Sequence, residues 1–467
     1  MALKIPKNAR YRKRVGAFSG VDIKHDESVI GFSTAARVYN FDFASGALRD
    51  GYGIAAHEHV HPYTQRYFVY RYFSEEAGRY VDQYVYQIES GHLYFYDELA
   101  GKIRLISGIA YPPFEAMNYR INGKDVLLIS CEGHPLITWD GSRLISHEET
   151  PRISSMALHY ERLFVTSKSE PTKLFFSADF DPLNWSTAGN EGGFIELLDD
   201  RGEMNKVVSF ADYLYVFRDH GISRITAYAD VKEFAVSNLF VAAGRIYPET
   251  IQKCGSVIMF LASDGLYVFD GYDCRRVLTQ LDGLIEEGVA SAFFDGKYYL
   301  SCKADFGDGK TVGCENDEYK ANMLLVYDPL TGEYSVSRGL NIIFMNACTF
   351  CGEDFLAAFD RSPNIRVGGG VIVRNGKRLD TPLPKHWESP QSDFGVPDKY
   401  KSVREVYIDT DTDVTVCIGG DKKSRSVSVK KGARRVRFNV RARNISLGID
   451  TAECDCRIKP PTVIYSQ

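Results

Sequence analysis

The chain is poor in the residues that build covalent or metal-held scaffolds. Ten cysteines in 467 residues are too sparse for a disulfide framework. Cys131 in LLISCEG, Cys302 in YYLSCKA and Cys417 in VTVCIGG lie inside apolar, strand-like runs, where a reduced, buried thiol is expected. Cys348 and Cys351 form one CxxC, with Cys302 and Cys314 upstream. Zinc ribbons repeat such a pair and this chain does not, so no metal is expected, although the spacing leaves open whether these four thiols bind one. Cys454-Asp455-Cys456 is a weaker candidate. No run approaches the roughly 18 apolar residues of a membrane span. The opening MALKIPKNARYRKRVGAFSG lacks the apolar stretch of a signal peptide. The expectation is synthesis in a cytosol-like compartment without membrane insertion.

Catalytic signatures are also missing. GxSxG, HExxH, the P-loop and a GxGxxG in a βα setting are all absent. The glycine run VGGGV, Val367 to Val371, has no helix behind it to receive a phosphate and reads as a turn. No catalytic residue and no cofactor are assigned. Helical patterning is scarce, and Leu278–Val289 is the best candidate for a short helix.

Aromatic residues are abundant, at 13% with 29 Tyr and 28 Phe, which favours pleated, half-buried structure. A unit of strand, tight polar turn and strand recurs along the middle of the chain. It begins at Gly78, Gly123, Tyr160, Ala211, Gly255, Gly296 and Gly352. That gives about seven copies at a spacing of roughly 40–55 residues, the period of propeller blades. Turns such as SDG, WDG and RNG suit hairpins, and further strand-like runs precede several copies, so each repeat predicts a four-stranded blade. The expected fold is all-β: a propeller of about seven blades (six to eight) over 56–381. A lead-in with an extended basic arm occupies 1–55, a proline-marked linker 382–400 and a small β-sandwich 401–467.

Both ends are basic. Lys4, Lys7, Arg10, Arg12, Lys13 and Arg14 form either a solvated tail or an arm that docks on a neighbouring chain. The terminal segment carries roughly six positive charges in excess while the chain as a whole is −5. Arg434, Arg435, Arg437, Arg441 and Arg443 mark either a solvated strand face or a docking surface for an acidic partner or nucleic acid. These two sets are the candidate interface residues.

HEHVHPY, His57 to Tyr63, places three histidines at alternate positions, which an extended strand would project from one face. Its position just before the first repeat predicts a strand face meeting a neighbouring blade or subunit, with no metal. SADFDPLNW, Ser177 to Trp185, is a near miss to the Asp-box turn of sialidase propellers. Asp181 holds the glycine position, the tryptophan falls one residue late, and no other repeat has a copy.

Several passages resemble, in order, those of β-propeller virion proteins of tailed bacteriophages, the hub, nozzle and packaged-DNA-stabilisation proteins. YNFDFASGALRDGYG (Tyr39 to Gly53) resembles their opening phrase, although Gly51 stands where that phrase has its second basic residue. YERLFVTSKSEPTKLFFSADFDPLNW, then FIELLDD and ADYLYVFRDHGISRI, resemble their central phrase. HWESPQSDFGVPDKYKSVREVYID resembles the passage into their terminal sandwich. The resemblance implies a non-enzymatic structural component of a phage tail or neck, made in the host cytoplasm and built into the virion. It also implies a homo-oligomeric, hexameric ring around the DNA channel, contact with other tail, neck or portal-proximal proteins, and non-specific contact with DNA. The alternative reading is a carbohydrate-binding or glycan-cleaving propeller for host attachment, with Trp139, Trp185 or Trp387 stacking on sugars. A WD-repeat scaffold ranks last, because Trp139-Asp140 is an isolated pair.

Overall fold

The computed structural model describes residues 9–43, 45–106, 113–228, 230–306, 320–361, 368–378 and 383–467. It is all-β. Four-stranded antiparallel meanders cover 64–106, 113–147, 155–196, 204–241, 252–277 and 342–378, and the meander at 285–338 belongs to a longer sheet. The arrangement is propeller-like. First strands of successive meanders lie side by side: the Val207 N–H donates to Ser155 Oγ, and His159 Nδ1 meets Ser209 Oγ at 2.9 Å. Asn346 of the 342–378 meander donates to the Tyr67 carbonyl of the 64–106 meander at 2.9 Å, so the last of these sheets packs on the first.

Burial explains why these strands read as they do. Inner strands are covered on both faces by neighbouring sheets, so Arg162–Thr166, second in its meander, and Met323–Tyr327, third in its own, are buried along their whole length. Outer strands such as Lys102–Ile106 are largely exposed and carry charge. Asn122-Gly123, Asp295-Gly296 and Asn375-Gly376 close hairpins with positive φ at both residues, the geometry that matches strand twist. Leu278–Val289 is not a helix. Asp282-Gly283 breaks it, with Gly283 at φ 87°, and only Thr279–Leu281 coils before the Ile285–Phe294 strand begins.

The two ends of the chain build one sandwich. One sheet holds Arg37–Tyr39, Lys385–Glu388, Ile445–Thr451, Val414–Gly420 and Ser424–Val429. The other holds Arg457–Ser466, Lys401–Thr410 and Arg435–Ala442. It runs without a break through the ribbon Phe41–Asp42/Leu48–Asp50 into the 285–338 meander. Val416, Ile418, Leu447, Ile449, Val463 and Trp387 share one apolar core with Leu325, Val336 and Phe41. Two expectations change here. Lys385–Glu388, inside the expected linker, is a sandwich strand with Trp387 fully buried. Tyr11–Arg14, inside the expected extended arm, pairs antiparallel with Arg457–Ser466, and Tyr11 stacks on Tyr465. An unpaired sheet edge exposes backbone donors and acceptors, and this segment satisfies them.

Candidate interaction surface

The Arg435–Ala442 strand alternates perfectly between exposed and buried residues. Val436, Phe438, Val440 and Ala442 enter the sandwich core, which leaves Arg435, Arg437 and Arg441 on the outer face. On this same sheet the N-terminal strand presents Arg12 and Arg14 as its exposed residues. Register aligns the two sets in rows across the sheet. Arg12 lies opposite Ile464, Ile464 opposite Glu405, and Glu405 opposite Arg437; Arg14 leads in the same way through Thr462 and Tyr407 to Arg435. Two basic segments more than 400 residues apart in the chain thus share one surface.

Glu405 sits within it, bonded to the Arg435 guanidinium. That hydrogen bond, with the positive charges of Arg435, Arg10 and Arg437, holds its carboxyl below the ordinary carboxylate range. One carboxylate does not neutralise the face. Arg10, Arg12, Arg14 and Arg437 have no carboxylate within ion-pair distance among the described residues. Tyr407 and Tyr400 add half-exposed aromatic surface, and Arg441 and Arg443 lie over the Tyr400 ring at 5.3 and 5.1 Å. Arg434 is exposed just before the Arg435–Ala442 strand. Lys13 faces the other way, its ammonium 5.9 Å from the Phe32 ring centre and 5.8 Å from that of Phe394, and does not join the surface. Lys4 and Lys7 lie outside the described residues.

The histidine stretch forms a turn in place of a strand. The His59 N–H donates to His57 Nδ1 at 3.1 Å, and the Tyr63 N–H to His61 Nδ1 at 3.2 Å. The turn packs between the 342–378 and 64–106 sheets, with His59 against Phe350 and His61 stacked on Tyr86. Burial lowers the pKa of His57, which meets Glu353 at 3.2 Å. Glu58, His59 and Glu353 each bring a potential ligand atom within 4.8 Å of the others. Glu353 is already engaged by Arg374 and His57, however, and the guanidinium beside it opposes a second cation.

Cys348 is buried in its strand and Cys351 is exposed at the first position of a hairpin turn with φ 51°, so the CxxC is a strand end plus a turn. Desolvation pushes the Cys302 and Cys348 thiols up and Cys351 to about 11. Cys314 lies outside the described residues. Trp139 and Trp387 are each 1% exposed, which removes two of the three candidate sugar-stacking residues. Trp185 is half-buried, with its indole N–H on the Pro182 carbonyl.

Sequence reasoning missed the join between the sandwich and the propeller-like array of meanders. Lys385, with 2% of its side chain exposed, bonds Asp50 at 2.9 Å and the Glu453 carbonyl at 2.6 Å. The neighbouring His386 is held by Asp450 at 2.6 Å and stacks on Tyr39. A cavity of about 500 Å³ opens beside it, between the N-terminal segment, the 285–338 meander and Lys385–Glu388, with Arg37, Arg338 and Glu388 in its wall. Only the register of remote strands creates this site, so no local motif signals it.

No family model matches the chain, and no curated protein matches it. Among solved structures it is similar to the extracellular domain of a putative one-component system from B. thetaiotaomicron, at 10% identity and a TM-score of 0.43. The match covers 92% of this chain and 62% of that one, so the chain spans less than two thirds of that neighbour.

Proposed function

We propose that this chain is a non-enzymatic structural subunit of a bacteriophage tail or neck. On this reading the seven meanders close as a seven-bladed propeller, and copies assemble into a ring around the DNA channel. The observation that carries the reading is the single basic sheet face made from both ends of the chain. It stands on a sandwich that shares a continuous sheet and one core with the propeller. Such a surface is held rigidly and keeps Arg12, Arg14 and Arg437 without a carboxylate partner among the described residues, as assembly requires. The ordered passages similar to virion propeller proteins point the same way. With two of the three tryptophans in the core, the glycan-stacking alternative loses its best residues.

The test is mass spectrometry of gradient-purified phage particles together with negative-stain microscopy of the purified chain. The reading expects the chain in particles at a stoichiometry of several copies, and class averages with rotational symmetry. A strictly monomeric chain that is absent from particles overturns it.

A further inference from the structure

In a four-stranded meander the turn from first to second strand and the turn from third to fourth lie at the same end. The first strands of the 155–196 and 204–241 sheets run in the same sense, and the Tyr215 hydroxyl of the latter reaches the Gly271 carbonyl in the turn of the next sheet, so these turns share one side of the molecule. Their composition is lopsided. Among the described residues they carry sixteen carboxylates, and only Arg143 and Lys232 are basic. Glu98 and Asp179 meet cations, Arg79 and Arg162 respectively. Asp212, Asp273 and Glu333, from three consecutive sheets, have no cation within ion-pair distance among the described residues, and all three are exposed. Large apolar side chains stand at the same turn tips: Phe180 is 76% exposed, Tyr228 61%, Tyr272 64% and Leu330 88%. Carboxylates around protruding aromatic tips match what the basic sheet face presents, arginines around Tyr400 and Tyr407. Tyrosine and arginine are the side chains that dominate binding energy at protein interfaces.

We infer that the basic face of the sandwich, centred on Arg12, Arg14 and Arg437, docks on the carboxylate-rich turn end of a second copy of this chain. The charge division within the chain supports this occupant. Residues 401–467 are net positive, while the whole chain, basic N-terminal segment included, is −5. The two surfaces are different patches, so the contact is head-to-tail. A head-to-tail contact whose rotation closes generates a ring. The inference rests on the ring-forming function proposed above and names the surface that builds it. Nucleic acid is the competing occupant of the same arginines, and it would leave the acidic end unused.

The experiment uses the full-length chain in mass photometry and sedimentation velocity between about 50 and 500 mM NaCl. Over this range the screening length falls from above about 10 Å to a few ångströms. Self-association should weaken at least tenfold across it. The variant Arg12→Glu/Arg14→Glu/Arg437→Glu should be monomeric at low salt with an unchanged circular dichroism spectrum. The variant Asp212→Lys/Asp273→Lys/Glu333→Lys should behave likewise. None of these side chains is buried, and none of the three acids holds its own turn through a side-chain hydrogen bond among the described residues. A mixture of the two variants should restore association in alternating order, because the intact basic face of one meets the intact acidic turns of the other and the two reversed surfaces are themselves opposite in charge. Survival of the oligomer in either triple variant overturns the inference, as does failure of the folded variants to pair. So does binding of a 30-base-pair duplex that depends on the arginines in a chain that never self-associates. If rings persist when either surface alone is reversed, the structural function stands and this interface alone is refuted.

Discussion

His386 should make the stability of the sandwich join depend on pH in a defined direction. Its strand lies between Arg37–Tyr39 and Ile445–Thr451. The ring bonds Asp450 at 2.6 Å, lies 3.7 Å from Glu388 and stacks on Tyr39, and Arg37 is the cation that acts on Glu388 from the adjacent strand. Burial opposes the charged imidazole, but the hydrogen bonds and charges of Asp450 and Glu388 prevail and raise its pKa to about 9. The unfolded chain releases this proton near about 6.5. Between those values the folded state holds more protons, so rising pH favours unfolding. The stabilisation is complete below about pH 6.5 and is lost as pH passes about 9. A shift of roughly 2.5 units at about 1.4 kcal/mol each corresponds to about 3 kcal/mol. With an unfolding entropy of about 2 cal/mol/K per residue, a chain of this length loses about 1 °C of melting temperature per kcal/mol. Scanning fluorimetry of the wild type and His386→Gln should therefore show the wild type about 3 °C more stable at pH 6 and equal to the variant by pH 9.5. The subtraction removes the contribution of other titrating groups. A gap that is constant with pH, or that widens toward alkaline pH, refutes the charged-imidazole account.

Other perturbations follow from burial and pairing. Lys385→Met leaves Asp50 without its cation, and should lower stability by about 3 kcal/mol in a thermal melt, the usual cost of breaking a buried pair from one side. Leu325→Ala empties a fully buried position in the core shared by the sandwich and the 285–338 meander, and should cost about 3 kcal/mol by the same measurement. Cys351 is exposed, yet partial burial and the nearby Glu98 and Asp82 raise its thiol to about 11. Iodoacetamide labelling at pH 8, followed by peptide mass spectrometry, should be about a hundredfold slower there than on a free peptide thiol, because only the thiolate reacts.

What was legible in the sequence depended on how far apart the interacting residues lie. RRVRFNVRA announces a strand with one wet face, because alternation is a local property and a single buried face enforces it. The meanders were legible for the same reason, with Asn-Gly and Asp-Gly turns placed between apolar runs. Alternation misled at HEHVH, where backbone N–H groups turn back onto the histidine rings and outcompete extension. Leu278–Val289 was misread because its spacing of leucines outweighed the Asp282-Gly283 break. The candidate surface was half legible. Both basic segments stood out, but their union was not visible. Pairing Tyr11–Arg14 with Arg457–Ser466 needs a register between the two ends of the chain that no local pattern encodes. The same holds for Lys385 and Asp50, whose pairing places a lysine in the core although lysine is almost never fully buried without a partner.

The most direct test of the account is cryo-electron microscopy of the purified full-length chain at low salt. The account predicts a closed ring of head-to-tail copies, each with a seven-bladed propeller body and its arginine-bearing sandwich sheet seated on the turn end of the next. Class averages that show only single propellers, from a chain that also fails to appear in purified phage particles, would contradict it.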